Sequence, residues 1–445
     1  MVNSPWWIVL SAVVACGDAS HPNTENDAAI DGQQQRDGRV AADAPAHISA
    51  CSPSEVIETA TADTQGQRVG VDDAGNAIAM WEQASSIWAN RYAAGVGWGT
   101  ATLIAATATE PQVAVMPSGV AIAVWAQGGT SGTMQSNIYM PGSGWAESTS
   151  VTPPDGHVSK APSIARNAGS AIAVWAHDDG VRFNLWANRY VMGVGWGTAE
   201  LIETDDTGGV DAPQIAVDSA GNAVVVWLQS DGALLHAWSN RYTVGVGWGT
   251  AIRLETDTTN SAGDPHVALD DAGNAIAVWW QNLGVWSSSY RAGTGWSGAV
   301  PIEIGAPSFN SGDARVVMRA NGGADPLVVW RRFDGHRNSI WSSTYNVNSG
   351  WQAPTPAEPM TDLDEKEPEL AINSAGTVVA VWVHFESGGL GTNRYDPISG
   401  WGTTTTITGP FAIYPQVGVD AGGGAVAVWE EIDTPDRNIL ASVCH

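Results

Sequence analysis

The sequence predicts an all-β fold, a closed eight-bladed β-propeller of four-stranded antiparallel blades. Three observations predict it. A unit of about 50 residues repeats from Cys51 to the end of the chain, each unit ends one of its apolar runs on a Trp, and the two ends of the repeat region are complementary fragments of one unit. Arrays of this kind arise where a lone unit cannot bury both faces of its sheet and its neighbours must cover them.

The Trp carries the count. It recurs as Trp81, Trp125, Trp175, Trp227, Trp279, Trp330, Trp382 and Trp429, at intervals of 44 to 52 residues, so there are eight units and eight blades. Within a unit, strand a is the Pro-x-Val-Ala-Val stretch and strand b the Asn-Ala-x-Ala-Val-Trp stretch, as in Pro213 to Trp227 and Pro265 to Trp279. The Asp-x-x-Gly-Asn between them reads as a tight hairpin turn. Strand c is Ile87-Trp-Ala-Asn-Arg-Tyr92 and its equivalents, and strand d runs from Trp98 to Ile104. A Gly precedes the strand d Trp in seven copies (Gly97, Gly144, Gly195, Gly247, Gly295, Gly350 and Gly400), which predicts a backbone angle closed to side chains. Tyr and Trp keep a spacing of six across that turn, from Tyr92/Trp98 to Tyr395/Trp401, and form seven cross-strand aromatic pairs.

The eighth pair is missing because the eighth blade is divided. The chain stops inside a strand c, Ile439-Leu-Ala-Ser-Val-Cys444-His, and the repeat region opens with an orphan strand d, Ser54-Glu-Val-Ile-Glu-Thr59. Aligning both fragments on the repeat puts Cys444 at the Tyr position and Cys51 at the Trp position. Directly opposed strand residues lie within disulfide range, so a Cys51–Cys444 bridge is predicted at the point of ring closure.

Composition agrees with an exported propeller. The 445 residues include 51 Gly and 23 Pro and are 44% apolar, and 46 acidic against 19 basic residues give a formal charge of −27. Such a field repels nucleic acid and anionic lipid headgroups. The apolar run Trp6 to Val14 is far short of the roughly 20 residues of a spanning helix and reads as a signal-peptide core. Val13-Val14-Ala15-Cys16 resembles the lipobox of bacterial lipoproteins, which implies lipidation of Cys16 and a lipid anchor as the sole membrane contact. By the same resemblance, Gly17 favours the outer membrane. The expected organisation is a signal peptide over 1–16, a polar disordered tether over 17–50 and the propeller over 51–445.

No catalytic constellation is present, and no cofactor or metal site is expected. There is no Gly-x-Ser-x-Gly elbow, His-Glu-x-x-His helix or Cys-x-x-Cys pair, and the nine His are scattered. Asp72, Asp218, Asp270 and Asp420 offer too few oxygens for calcium and read as turn-forming. A more suggestive pattern lies two residues after each blade Trp: Gln83, Gln127, His177, Gln229, Gln281, Arg332, His384 and Glu431. Residues two apart share a strand face, so these form a polar ring at the end of strand b, either satisfying backbone groups or contacting a ligand. The b–c loops and d–a connections emerge beside it and vary between copies while the other turns are uniform. That face is the expected binding face.

The Ala-Val-Asp-x-x-Gly-Asn-Ala-x-Ala-Val-Trp and Trp-Ala-Asn-Arg-Tyr units resemble the repeats of myxobacterial-type surface lipoproteins with Asp/Ala-rich tethers. The resemblance implies a fold and an envelope location, with no activity attached. The a–b turn is similar to that of NHL-type propellers and does not match the Ser-x-Asp-x-Gly-x-Thr-Trp box of sialidases. A cell-surface module binding a glycan or a surface protein is therefore expected first. A polysaccharide-active glycosidase or lyase and a structural envelope lipoprotein are the alternatives.

Overall fold

The computed structural model describes residues 50–59, 62–128, 132–153, 155–303, 311–320, 325–358, 363–385, 388–407, 409, 411–432 and 437–445. The expected signal peptide, Cys16 and all but the last residue of the tether lie outside them.

Eight antiparallel sheets follow one another around a ring, and no helix occurs among the described residues. In blade 1 the strands are a (Thr64–Val71), b (Ala77–Gln83), c (Ser86–Ala93) and d (Gly97–Trp98, then Thr102–Ala106). The order a-b-c-d recurs through blade 7. Strand b is apolar almost throughout because both of its faces are covered: Ala223–Ser230 is buried at every residue but the last. Strands a and c mix buried with partly exposed positions, being less completely covered than strand b.

The eight blade Trp are fully buried at 0% exposure, and each packs against the preceding blade. Trp125 sits among Ile78, Met80 and Ile87, and Trp227 among Ile172, Val174 and Leu185. Trp81 packs on Val428, Ile439 and Ala441 of the last blade, which closes the circle. Burial of a large apolar side chain is worth about 1.5–3 kcal/mol. A second set of links uses strand c. The amide nitrogen of Asn240 donates to the Ile202 carbonyl of the blade before (2.7 Å) and to Gly249 of its own (3.1 Å). Asn90, Asn188 and Asn393 make the same two bonds.

Two expectations are corrected. Strand a begins three residues before the Pro, at Val210 and Ala262 rather than Pro213 and Pro265, because the Pro sits in a β-bulge that the ladder spans. Strand d is two short pieces rather than one run from Trp98 to Ile104. The chain turns between them so that the Gly99 carbonyl accepts from Asn90 (3.1 Å) while its N–H donates to Arg91 (2.9 Å).

The turns follow the sequence reading. Asp218 accepts from the backbone and side-chain nitrogens of Asn222, both at 2.8 Å, and Asp72 and Asp270 repeat the arrangement. The Gly before each strand d Trp has φ between 79° and 116°, where a Cβ would be strained. All seven Tyr/Trp pairs are in direct register, with ring centroids 5.2–5.7 Å apart.

Blade 8 takes three strands from the C-terminal end (Ala412–Val419, Ala425–Ile432 and Arg437–Cys444) and its fourth from Glu55–Val56. Cys51 and Cys444 face each other at the aromatic-pair position and are disulfide-bonded, Cα to Cα 4.0 Å, across 393 residues of chain. Cys444→Ser lowers the stability of the oxidised protein by roughly 2–5 kcal/mol. Denaturant unfolding with and without reductant measures this. Equal midpoints for the two proteins would show that the bridge contributes nothing to closure.

Candidate functional site

The polar ring is where the sequence puts it, and it faces inward. Gln83, Gln229 and Gln281 are buried, each with its side-chain oxygen on the indole N–H of its own blade Trp (3.4, 3.0 and 3.0 Å). Their amide nitrogens donate to carbonyls of the d–a connection at Ala62, Asp205 and Asn260, and Gln127 joins Trp125 to Ala106 and Thr107 in the same way. His177 lies between Ser159 and Asp155, 2.9 Å from each. Arg332 stacks on Trp341, 4.4 Å from its centroid, and approaches Glu303 at 3.5 Å. Glu431 accepts from Asn438 (3.4 Å), and His384 is buried beside Trp382.

One residue inward, strand a lines a central cavity of about 1280 Å³ to which all eight blades contribute. Every strand a carries a β-bulge near its start, and the bulged residue has φ between 46° and 65°: Gly66, Glu110, Ala161, Ala212, Asp264, Asp313, Glu367 and Tyr414. A non-Gly residue held there is strained, and such strain concentrates at functional sites. The sequence signal was the residue before the strand a Pro, as in Glu110-Pro111, Asp264-Pro265 and Tyr414-Pro415. A Pro reads as a strand start in the sequence, and only the ladder on both sides of the bulge places the preceding residue inside strand a. The bulges lie near the end of strand a that pairs with the end of strand b, hence toward the face nominated from loop variation.

The cavity wall is uneven. Blades 3 and 4 contribute Ala161, Pro162, Ala212 and Pro213, while ionic groups crowd the rest. Arg315 bridges Asp264 (3.0 Å) and Glu369 (2.8 Å), Arg331 holds Asp313 (2.7 Å), and Arg68 donates to Gln112 (3.1 Å). Glu110 and Glu367 each accept the bulge N–H of the next blade, Ala161 and Tyr414, at 2.5 Å. Burial works against ionisation of Asp264, but the His266 hydrogen bond and the Arg315 charge hold it well below the usual carboxylate range. Burial pushes Glu367 up, against the Tyr414 N–H bond and with repulsion from Asp313. Tyr414 is 57% exposed in this wall. Counting blades around the ring, it stands opposite the small Ala212.

A second buried set occupies the end of strand d. Glu58 accepts from Ile439 N (2.9 Å), Glu203 from Leu185 N (2.5 Å), Glu255 binds His236 (2.7 Å) and Glu303 accepts from the Trp330 indole (2.9 Å). Glu358, the fifth, lies with Glu365 and His384 in a buried group whose ligand-type atoms fall within 4.8 Å of one another.

No protein family matches the chain, and no curated protein aligns with it. Among solved structures it is similar to a protein of unknown function from Dyadobacter fermentans (10% identity, TM-score 0.46, 89% of this chain and 99% of that one). It is similar also to the polysaccharide lyase Uly1 (10%, TM-score 0.47, 75% and 89%) and to a leech intramolecular trans-sialidase (9%, TM-score 0.41, 86% and 90%). Likeness of this depth speaks to neither ligand nor reaction.

Burial pushes the Glu203 carboxyl up to about 7, against the Leu185 N–H bond and the Arg182 charge. Between the ordinary carboxylate value near 4.3 and about 7, the folded state keeps a proton that the unfolded chain has released. This group therefore makes stability fall as pH rises through that window and adds no slope above it. Glu203→Gln flattens the fall. Denaturant midpoints taken from pH 5 to pH 8 check this, and an unchanged slope in the variant contradicts it.

Proposed function

We propose that this protein is an exported, envelope-anchored binding module that takes a hydroxyl-rich, saccharide-type ligand in the central channel. The observation that carries the reading is Tyr414, an exposed aromatic ring at a positive-φ bulge, opposite small side chains and among charged hydrogen-bonding groups. A sugar presents an apolar C–H face and a polar rim. A wall with one aromatic platform and convergent polar groups matches both, in a concavity large enough for several sugar units. The buried polar ring Gln83, Gln127, His177, Gln229, Gln281, Arg332, His384 and Glu431 supports the rim of this channel in the same reading.

Binding is favoured over catalysis because Asp264 and Glu369 are both engaged by Arg315, which leaves neither unencumbered for proton transfer. A polysaccharide-active enzyme is the second reading. It is favoured by Glu367, which lines the channel and whose carboxyl burial pushes up, as a general acid requires. A lipid on Cys16 would hold the module at the envelope, outer membrane by the Gly17 rule, and the Cys51–Cys444 bridge suits an oxidising compartment.

A glycan array probed with the full chain, followed by calorimetry, tests the channel. Tyr414→Ala weakens binding by roughly tenfold or more, about 1.4 kcal/mol. A silent array, or affinity untouched by the substitution, removes the saccharide reading. Product release from a bound glycan that stops in Glu367→Gln while binding persists would establish the enzyme instead. Cys16→Ser moves the protein from the membrane to the soluble fraction, and unchanged membrane partition would defeat the anchor.

A further inference from the structure

We propose that Glu358, Glu365 and His384 form a buried site for a divalent transition-metal ion of the zinc type. The site lies where strand d of blade 6 gives way to strand a of blade 7, beside the end of strand b of blade 7, and none of its three residues lines the channel. All three side chains are more than nine-tenths buried, with 7%, 1% and 3% exposure. Their ligand-type atoms, two carboxylate oxygens and an imidazole nitrogen, lie within 4.8 Å of one another.

Comparison with the other blades shows what sets this junction apart. Each of the other four buried glutamates at the end of strand d has a compensating donor: a backbone N–H for Glu58, Leu185 N and Arg182 for Glu203, His236 and Arg253 for Glu255, and the Trp330 indole and Ser311 for Glu303. At this junction the compensation stops short. Glu358 Oε1 and His384 Nδ1 are buried without a hydrogen-bond partner, and a second carboxylate has been added where other blades start strand a with Thr64, Ala108, Ser159 or Ser311. Glu365 accepts from Ile340 N (3.2 Å) and lies in the field of Arg337. Two carboxylates and an imidazole in one dry pocket carry a cost that a dication offsets, and these donors are the ones zinc takes.

The backbone also makes room. Opposite the blade Trp, strand c carries Trp88, Trp186, Trp238, Trp286 or Trp341 in five blades, but in blade 7 Trp382 faces Gly391. A Cβ at Gly391 would stand 2.7 Å from His384 Nε2 and 2.4 Å from the Trp382 ring, so the His384 ring has its orientation only because that side chain is missing. Zinc takes carboxylate oxygens and imidazole nitrogens at about 2.0–2.2 Å.

The full chain, stripped with chelator and titrated with Zn²⁺ in a calorimeter, binds one ion, and His384→Gln and Glu358→Gln each weaken binding by roughly tenfold or more. X-ray absorption of the unmutated zinc form shows one imidazole nitrogen with carboxylate oxygens, a readout that needs no variant to fold. Only trace binding by the unmutated chain overturns the proposal and leaves two carboxyls sharing a proton. Affinity unchanged in both variants, or a zinc shell without imidazole, overturns it as well.

Discussion

One buried indole per blade, driven into the blade before it, is the contact that the rest of the molecule presupposes. A four-stranded sheet with an apolar b strand has two faces to cover, and the blade Trp covers the gap on one side only if another blade stands there. Because Trp81 needs Val428, Ile439 and Ala441 as much as Trp227 needs Ile172 and Val174, the array has to close on itself. Closure in turn explains why the last blade is assembled from both ends of the repeat region and why its aromatic pair is replaced by Cys51 and Cys444. No c–d turn joins those two strands, so a covalent link stands where the hairpin provides one elsewhere.

The ring imposes a division of labour along each strand. Positions facing a neighbouring blade are largely Trp, Asn, Gln or aliphatic residues, since the same kind of interface recurs eight times. The bulge of strand a lies at the channel wall, outside the apolar interface between blades. Its backbone is alike in all copies while its side chain ranges from none in Gly66 to the phenol of Tyr414. The variation therefore falls on the channel, where the proposed ligand would meet it. The junction of blades 6 and 7 departs from the repeat in another way, with Gly391 and Glu365 replacing the residues other blades use, and both departures lie beside His384.

Electrostatics on this acidic chain follow the same geometry. Of 19 Lys and Arg residues, Arg68, Arg315, Arg331, Lys366 and Arg437 line the channel, each among carboxylates. These five cations meet carboxylates from several blades, which keeps the channel from being dominated by one sign.

The sequence by itself determined the blade count, the order of strands, the Asx turns and the terminal disulfide. These are carried by spacing, and spacing survives translation into any number of identical units. It also located the polar ring after each blade Trp, but not which way that ring faces, because a period of two places residues on a face without saying what covers it. The Pro of strand a read as a strand start, and only hydrogen-bond registration across the bulge showed that the residue before it enters the channel. Tyr414, Glu367 and Asp264 are far apart in the chain, as are Glu358 and His384 on the scale of a strand. Their meeting depends on how blades curve and pack around the axis, a long-range property that the tertiary structure alone decides.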